Sequence, residues 1–217
     1  MLIFYDISMT AFDEAQLDTI ADALAEQGYC VLDDALPNNF LNALLMHFNR
    51  EQCYGFKPAG VGRHSDFQFQ ESVRSDNIQW IESNTETTTE FLQWMDSLRV
   101  GVNRRLFMGL FDYESHFASY AMGAFYKKHL DAFRNTRKPG YNRVLSTVLY
   151  LNVNWQLDDG GDLVIYAENN NDIVKKISPV FGRLVIFLSE KFPHEVLPAA
   201  RERKSIAGWY RVNQGAI

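Results

Sequence analysis

The sequence predicts a mainly β fold with flanking α-helices, a sandwich or jelly roll with helices from the N-terminal part on its outer face. Three observations carry the expectation. From Phe111 onward, short runs rich in β-branched and aromatic residues alternate with turn signals. Ahead of that point, three segments repeat apolar residues at helical spacing. Within the β-rich half lie ligand-type side chains, His129, Asp131 and His194, followed by the cation Arg203.

Ala11 to Gln27 carries Leu17, Ile20, Ala21 and Leu24 on one helical face, and Gly28 supplies a stop. The run YCVLDD that follows reads as a short buried strand. Pro37 opens a second helix, where Phe40, Leu41, Leu44, Leu45 and Phe48 form an apolar stripe suited to packing. Thr87 to Leu106 is a third helix, with Phe91, Trp94, Met95, Leu98, Val102 and Leu106 on one side. Beyond Phe111, turns are expected at Lys138 to Tyr141, Asp158 to Gly161, Asn169 to Asp172 and Pro179 to Gly182. Regularly spaced short strands of this kind favour a sandwich or jelly roll.

With 217 residues, 47% apolar and 14% aromatic, the chain can bury a full core as one domain with appendages. No apolar run is long enough to span a bilayer, and the N-terminus MLIFYDISMTAFDEA lacks the features of a secretory signal, so no membrane partner is expected. Cys30, in an apolar strand-like run, and Cys53, after a helix, are too few for a disulfide framework and suit a reducing, cytoplasmic setting. A formal charge of -6 works against a nucleic-acid partner, although Lys127, Lys128, Arg134, Arg137 and Lys138 allow a weak basic rim.

The chemistry rests on spacing. Residues two apart on a strand share a face, so the His-Leu-Asp run at 129 to 131 can grip one ion from a single strand. His194 arrives 63 residues after Asp131, an interval that suits several strands returning a third ligand to the same mouth. Two imidazoles and a carboxylate form the facial triad of a non-haem Fe(II) oxygenase, which leaves coordination positions open. Arg203, 9 residues after His194, can take the far carboxylate of a dicarboxylate cosubstrate, because its planar fork engages carboxylates bidentately. His47 on a helix, His64 in a polar loop and His116 in a strand have no partner at ligand spacing and read as structural.

From about Arg74 to Tyr210 the chain resembles the prolyl hydroxylases among the 2-oxoglutarate and Fe(II)-dependent dioxygenases, in particular those that modify hypoxia-inducible factor and their bacterial relatives. The stretches that carry the resemblance are RSDNIQWIE, HLD, STVLYLNVNW, DGGDLVIY and the PHEV…R…WY run. The resemblance implies a double-stranded β-helix (jelly-roll) core, iron binding by His129, Asp131 and His194, and a 2-oxoglutarate carboxylate held by Arg203. Tyr150 would lie beside that carboxylate, with Tyr120 as a second cosubstrate residue, although Tyr120 stands one residue closer to His129 than the family pattern. It further implies O2 as cosubstrate and ascorbate as reductant. Residues 1-110 would supply helical support and a substrate-loop region and 111-217 the catalytic core, within one catalytic domain.

The segment Lys57 to Asp76, long, polar and glycine-containing, reads as a lid over an extended peptide. Arg74 is suited to donating hydrogen bonds to peptide carbonyls, and Asp76 and Arg143 are expected to pair at the entrance. Trp209 completes the substrate-side set, while Trp80 is expected to pack beneath it. The reaction implied is hydroxylation of a prolyl residue in a protein, with release of succinate and CO2. Elongation factor Tu, on which bacterial relatives act, is the first candidate substrate. Oxygenation of another side chain or a small molecule, nucleic-acid dealkylation, and a catalytically silent sensor module are the alternatives.

Overall fold

The computed structural model describes residues 11–53, 55–60, 70, 72–132 and 142–212. Two antiparallel sheets form the body. In chain order the strands are β1 (Tyr29–Leu32), β2 (Lys57–Pro58), β3 (Asn77–Trp80), β4 (Leu110–Tyr120), β5 (Tyr126–His129), β6 (Asn142–Tyr150), β7 (Leu163–Tyr166), β8 (Ile173–Ile177), β9 (Leu184–Leu188), β10 (His194–Val196) and β11 (Arg203–Val212). The large sheet runs β1-β9-β6-β11-β4-β3-β2 and the small sheet β5-β10-β7-β8. Counting from β4, the large sheet places the first, eighth, third and sixth strands side by side, and the small sheet the second, seventh, fourth and fifth. That interleaving is the jelly roll expected from the sequence.

The helices are α1 (Glu14–Glu26), α2 (Asn38–Gln52) and α3 (Glu86–Leu106). Asp13 and Gln16 form a reciprocal capping box that starts α1 three residues later than the apolar pattern alone suggests. Thr85 and Thr88 cap α3 in the same way. Pro37 stands at the N-cap of α2, so its missing N–H costs the helix nothing.

The centre of the large sheet is buried on both faces, which is why β9 reads LVIFL without a polar break. Leu184 and Ile186 join the helical residues Leu41, Phe91 and Leu98 in one apolar cluster, whereas Val185 and Phe187 point into a second cluster shared with Leu163 and Ile165 of the small sheet. Each such side chain removed from water contributes roughly 1.5–3 kcal/mol. Gly208 on β11 is required by close packing, because a Cβ there would lie 2.1 Å from the Tyr113 hydroxyl.

The halves are less separate than the division at residue 110 suggested. Strand β1 extends the large sheet beyond β9, and β3 and β2 extend it beyond β4. The expected packing role of Trp80 is corrected as well. It ends β3 at 48% exposure, with one edge against the His116 ring, because only a two-residue strand lies outside β3.

Candidate active site

His129 ends β5 and His194 begins β10, and the two residues are direct partners in the antiparallel pairing of those strands. Asp131 lies in the bend after β5, so the chain's turn, not strand alternation, brings its carboxylate to the imidazoles. The Nε2 atoms of His129 and His194 stand 3.6 and 3.5 Å from the two Asp131 oxygens. One ligand atom from each residue lies within 4.8 Å of the others, a grouping that could hold a metal ion.

Both imidazoles are oriented by backbone. The Nδ1 of His129 lies 2.8 Å from the Lys127 carbonyl and that of His194 3.0 Å from the Phe192 carbonyl, so each Nδ1–H donates and each Nε2 is left as an acceptor for metal. Burial drives the His194 pKa down to about 4, against the pull of Asp131, and so keeps the ring neutral. Burial pushes the Asp131 carboxyl up, but the His194 and His129 rings outweigh it and hold the group well below the usual range. Ser146 Oγ donates to Asp131 Oδ2 at 2.8 Å and itself contacts Ser189 Oγ at 2.8 Å, inside the sandwich. Each of the three side chains is thus held in direction by a hydrogen bond, the imidazoles by backbone carbonyls and the carboxylate by Ser146.

Across the gap, the large sheet supplies a cation. Arg203 begins β11, opposite Tyr120 at the end of β4, and Ser205 stands opposite Tyr150 at the end of β6. The guanidinium is 1% exposed, yet it makes few bonds. Its Nε donates to the Gly161 carbonyl at 3.0 Å and Nη1 to Ser205 Oγ at 3.2 Å, while Nη2 and the Tyr150 hydroxyl have no hydrogen-bond partner among the described residues. The Tyr120 and Tyr150 rings flank it at 5.0 and 4.9 Å. Burial raises the Tyr150 pKa and the nearby Arg203 cation opposes the rise. A buried cation with an idle donor fits an incoming carboxylate, and it fits 2-oxoglutarate in particular because the metal-type cluster shares the cavity.

That cavity measures about 600 Å³ and is lined by His129, Asp131, His194, Arg203 and Tyr120. Tyr150 is fully buried and does not reach the cavity wall. Gly161 gives the guanidinium its seat, since its φ of +71° suits glycine and an added Cβ would lie 2.9 Å from Ala199 and 3.3 Å from Arg203 Cδ.

The substrate-side residues arrange themselves differently from the expectation. Arg74, Arg143 and Trp209 line the cavity and Asp76 does not. Asp76 pairs with Arg74, whose Nε and Nη2 donate to its two oxygens at 2.8 and 2.6 Å. Arg143 instead donates to Glu114 at 3.0 and 2.8 Å and covers the Trp209 ring at 3.5 Å. Residues 74 and 76 satisfy each other locally, so the carboxylate has no need of the more distant partner. Arg74 accordingly has only Nη1, 3.4 Å from the Gly60 carbonyl, outside that pair.

The lid expected at 57 to 76 includes residues 61–69 and 71, which lie outside the described residues, as do His64, the turn at 138 to 141 and the rim residues Arg134, Arg137 and Lys138. His47 and His116 are buried on α2 and β4. Sequence reasoning missed Tyr126, whose ring stacks on His129, and the Ser146–Ser189 pair.

Residues 115–211 match the family described as the 2OG-Fe(II) oxygenase superfamily. The chain is 30% identical to mouse prolyl hydroxylase EGLN3 over 213 residues, covering 91% of this chain and 84% of that protein. It is also 30% identical to the hypoxia-inducible factor prolyl hydroxylase of Caenorhabditis elegans, of which it spans only 27%. Among solved structures, a Pseudomonas putida prolyl-4-hydroxylase superimposes with a TM-score of 0.80 at 40% identity, covering 91% of this chain and 99% of that one. A Trichoplax adhaerens prolyl hydroxylase, solved with a hypoxia-inducible factor peptide, gives 0.77 at 29% identity, covering 91% and 89%. With the ligand cluster and the buried arginine in one jelly-roll cavity, the chain belongs to the 2-oxoglutarate and Fe(II)-dependent oxygenases, as a prolyl hydroxylase-type oxidoreductase.

Proposed function

We propose that this protein hydroxylates a prolyl residue within a polypeptide, with His129, Asp131 and His194 holding Fe(II) and Arg203 holding the far carboxylate of 2-oxoglutarate. The observation that carries the reading is the buried Arg203 guanidinium, whose Nη2 has no hydrogen-bond partner among the described residues, facing the same cavity as the His-Asp-His cluster. Fe(II), when bound, supplies the activation of O2 that couples conversion of 2-oxoglutarate to succinate and CO2 with insertion of one oxygen into a C–H bond. The protein's residues do the positioning. The imidazoles and carboxylate would hold the ion, Ser146 fixes the carboxylate, and Arg203 would take the acid's far end from the opposite sheet. Tyr120 walls that end of the cavity.

A peptidyl proline, unlike the free amino acid, offers no ammonium or carboxylate to neutralise. It suits a mouth where Arg74, Arg143 and Trp209 line the wall and where the described bonds of both arginines satisfy carboxylates already. Arg74, Asp76, Arg143 and Trp209 are assigned to substrate contact or to shaping it. Ascorbate is the expected reductant. Elongation factor Tu is the first substrate to try, given the 40% identity to a bacterial prolyl-4-hydroxylase. The unpaired Cys30 and Cys53 accord with a reducing cytoplasm, and no helix among the described residues is long and apolar enough to cross a membrane.

The test incubates the purified chain with Fe(II), 2-oxoglutarate, ascorbate and elongation factor Tu, and reads peptides by mass spectrometry alongside succinate. One added oxygen on a proline, matched by succinate and absent with His194→Ala, is expected. Efficient hydroxylation of free proline with none of any polypeptide would overturn the substrate class.

A further inference from the structure

Three side chains form a stack that leads away from the ligand cluster. The Tyr126 ring lies on the His129 imidazole with centroids 3.6 Å apart and planes 14° from parallel. The Arg74 guanidinium carbon stands 4.3 Å from the centroid of the same tyrosine ring. Arg74 is fixed in turn by both oxygens of Asp76, whose side chain is fully buried.

The stack answers a need that His129 has and His194 does not. The His194 side chain is 6% exposed and its ring packs edge-on against Phe187 at 4.8 Å, whereas the His129 side chain is 17% exposed. A hydrogen bond from Nδ1 to the Lys127 carbonyl fixes the tautomer and the in-plane direction of the His129 ring. It leaves tilt about that bond weakly restrained, and a flat ring against the imidazole face removes that freedom.

A β-bulge makes the contact geometrically available. His194 pairs with His129, yet Val196 pairs with Tyr126, so β5 has one residue more than β10 over this interval. Three residues apart on a regular strand, Tyr126 and His129 would point to opposite faces, and the extra residue returns them to one side. Backbone bonds then tie the Arg74 segment to the same strand. Ser75 N donates to Phe125 O at 3.1 Å and Lys127 N to Val73 O at 2.9 Å, on either side of a bridge between Arg74 and Tyr126.

We propose that Tyr126, held by Arg74, is a positioning residue for the metal site. It fixes the plane of His129, and docking of residues 73–76 onto β5 thereby sets how tightly the cluster binds a divalent ion. The proposal rests on the reading of His129, Asp131 and His194 as metal ligands.

The test titrates Mn(II), a redox-stable substitute for Fe(II), into the metal-free full chain without 2-oxoglutarate or peptide, and follows the free-ion signal by electron paramagnetic resonance. Tyr126→Phe keeps the ring face and should bind within about twofold of the unsubstituted chain. Tyr126→Leu should weaken binding by about tenfold or more, the range set by residues that orient metal ligands. Arg74→Lys retains a cation for Asp76 but loses the flat guanidinium, and should weaken binding in the same direction. Wild-type affinity in Tyr126→Leu, or equal losses in the Phe and Leu variants, would overturn the proposal. If Tyr126→Leu fails to fold, unchanged affinity in Arg74→Lys overturns it instead. A chain carrying His129→Ala that still binds Mn(II) normally would overturn the ligand reading itself, a different failure.

Discussion

Replacing Arg203 by methionine should separate stability from cosubstrate binding, with opposite signs. Arg203 is a fully buried cation that, among the described residues, pairs with no carboxylate and has one nitrogen without a hydrogen bond. A buried donor without a partner costs about 1–3 kcal/mol, and an apolar side chain of similar length removes that cost. The unliganded Arg203→Met protein should therefore melt at or above the temperature of the unsubstituted chain. Binding should move the other way, because truncating one partner of a buried charged pair costs about 2–5 kcal/mol, or roughly 30-fold or more in 2-oxoglutarate affinity. At a 2-oxoglutarate concentration 100 times the dissociation constant, with Mn(II) present, linkage stabilises the unsubstituted protein by about 2.7 kcal/mol. For a chain of this size that is roughly 5–11 °C. With affinity 30-fold lower, the same ligand concentration gives Arg203→Met under about 1 kcal/mol, or roughly 2–4 °C. Thermal scans with and without 2-oxoglutarate decide the matter. A ligand-induced shift as large in Arg203→Met as in the unsubstituted chain would refute the assignment, and a collapse of the unliganded melting temperature would show that Arg203 serves the fold.

Two other perturbations follow from buried polar groups. Ser146→Ala removes the donor to Asp131 Oδ2 and leaves Ser189 without that partner, so Mn(II) affinity should fall by about tenfold with little change in fold by circular dichroism; unaltered affinity would show that Asp131 needs no such support. His116 is driven down to about 4, first by burial and then by the Arg74 and Arg143 cations, against an unfolded value near 6.5. Its neutral form is thus fully accommodated above pH 6.5. As pH falls from about 6.5 to 4, the unfolded state takes up the proton first and stability drops by about 1.4 kcal/mol per pH unit on this account. His116→Leu should flatten the slope of urea-unfolding free energy against pH by close to one proton, and an unchanged slope would contradict it.

How much the sequence reveals depends on whether a feature is local. The His-Leu-Asp run, the later His194 and Arg203 all meet in one cavity, because their spacing reflects strands that enter and leave the same end of the sandwich. The three helices were legible from apolar spacing, and the Asp13 and Thr85 caps only adjusted their first residues. Pairings between distant segments were not. Nothing in TyrCysValLeu states that it will lie beside β9, and Asp76 chose the arginine two residues away over Arg143. Tyr126 stayed hidden for a sharper reason. Reading the strand by alternation puts it on the opposite face from His129, and a bulge is visible only once both strands are paired.

The cavity lies between two layers that contribute different things. The small sheet and the bend after it bring the His-Asp-His cluster, while the large sheet brings the guanidinium and its two tyrosines. On the proposed reading, a bound diacid spans from one layer to the other and acts as a ruler. Its selectivity for chain length then comes from the spacing of the sheets, which is set by apolar residues packed between them such as Leu163, Ile165, Val185 and Phe187. Thinning or thickening that filling would retune which diacid fits, with every recognised charge left in place.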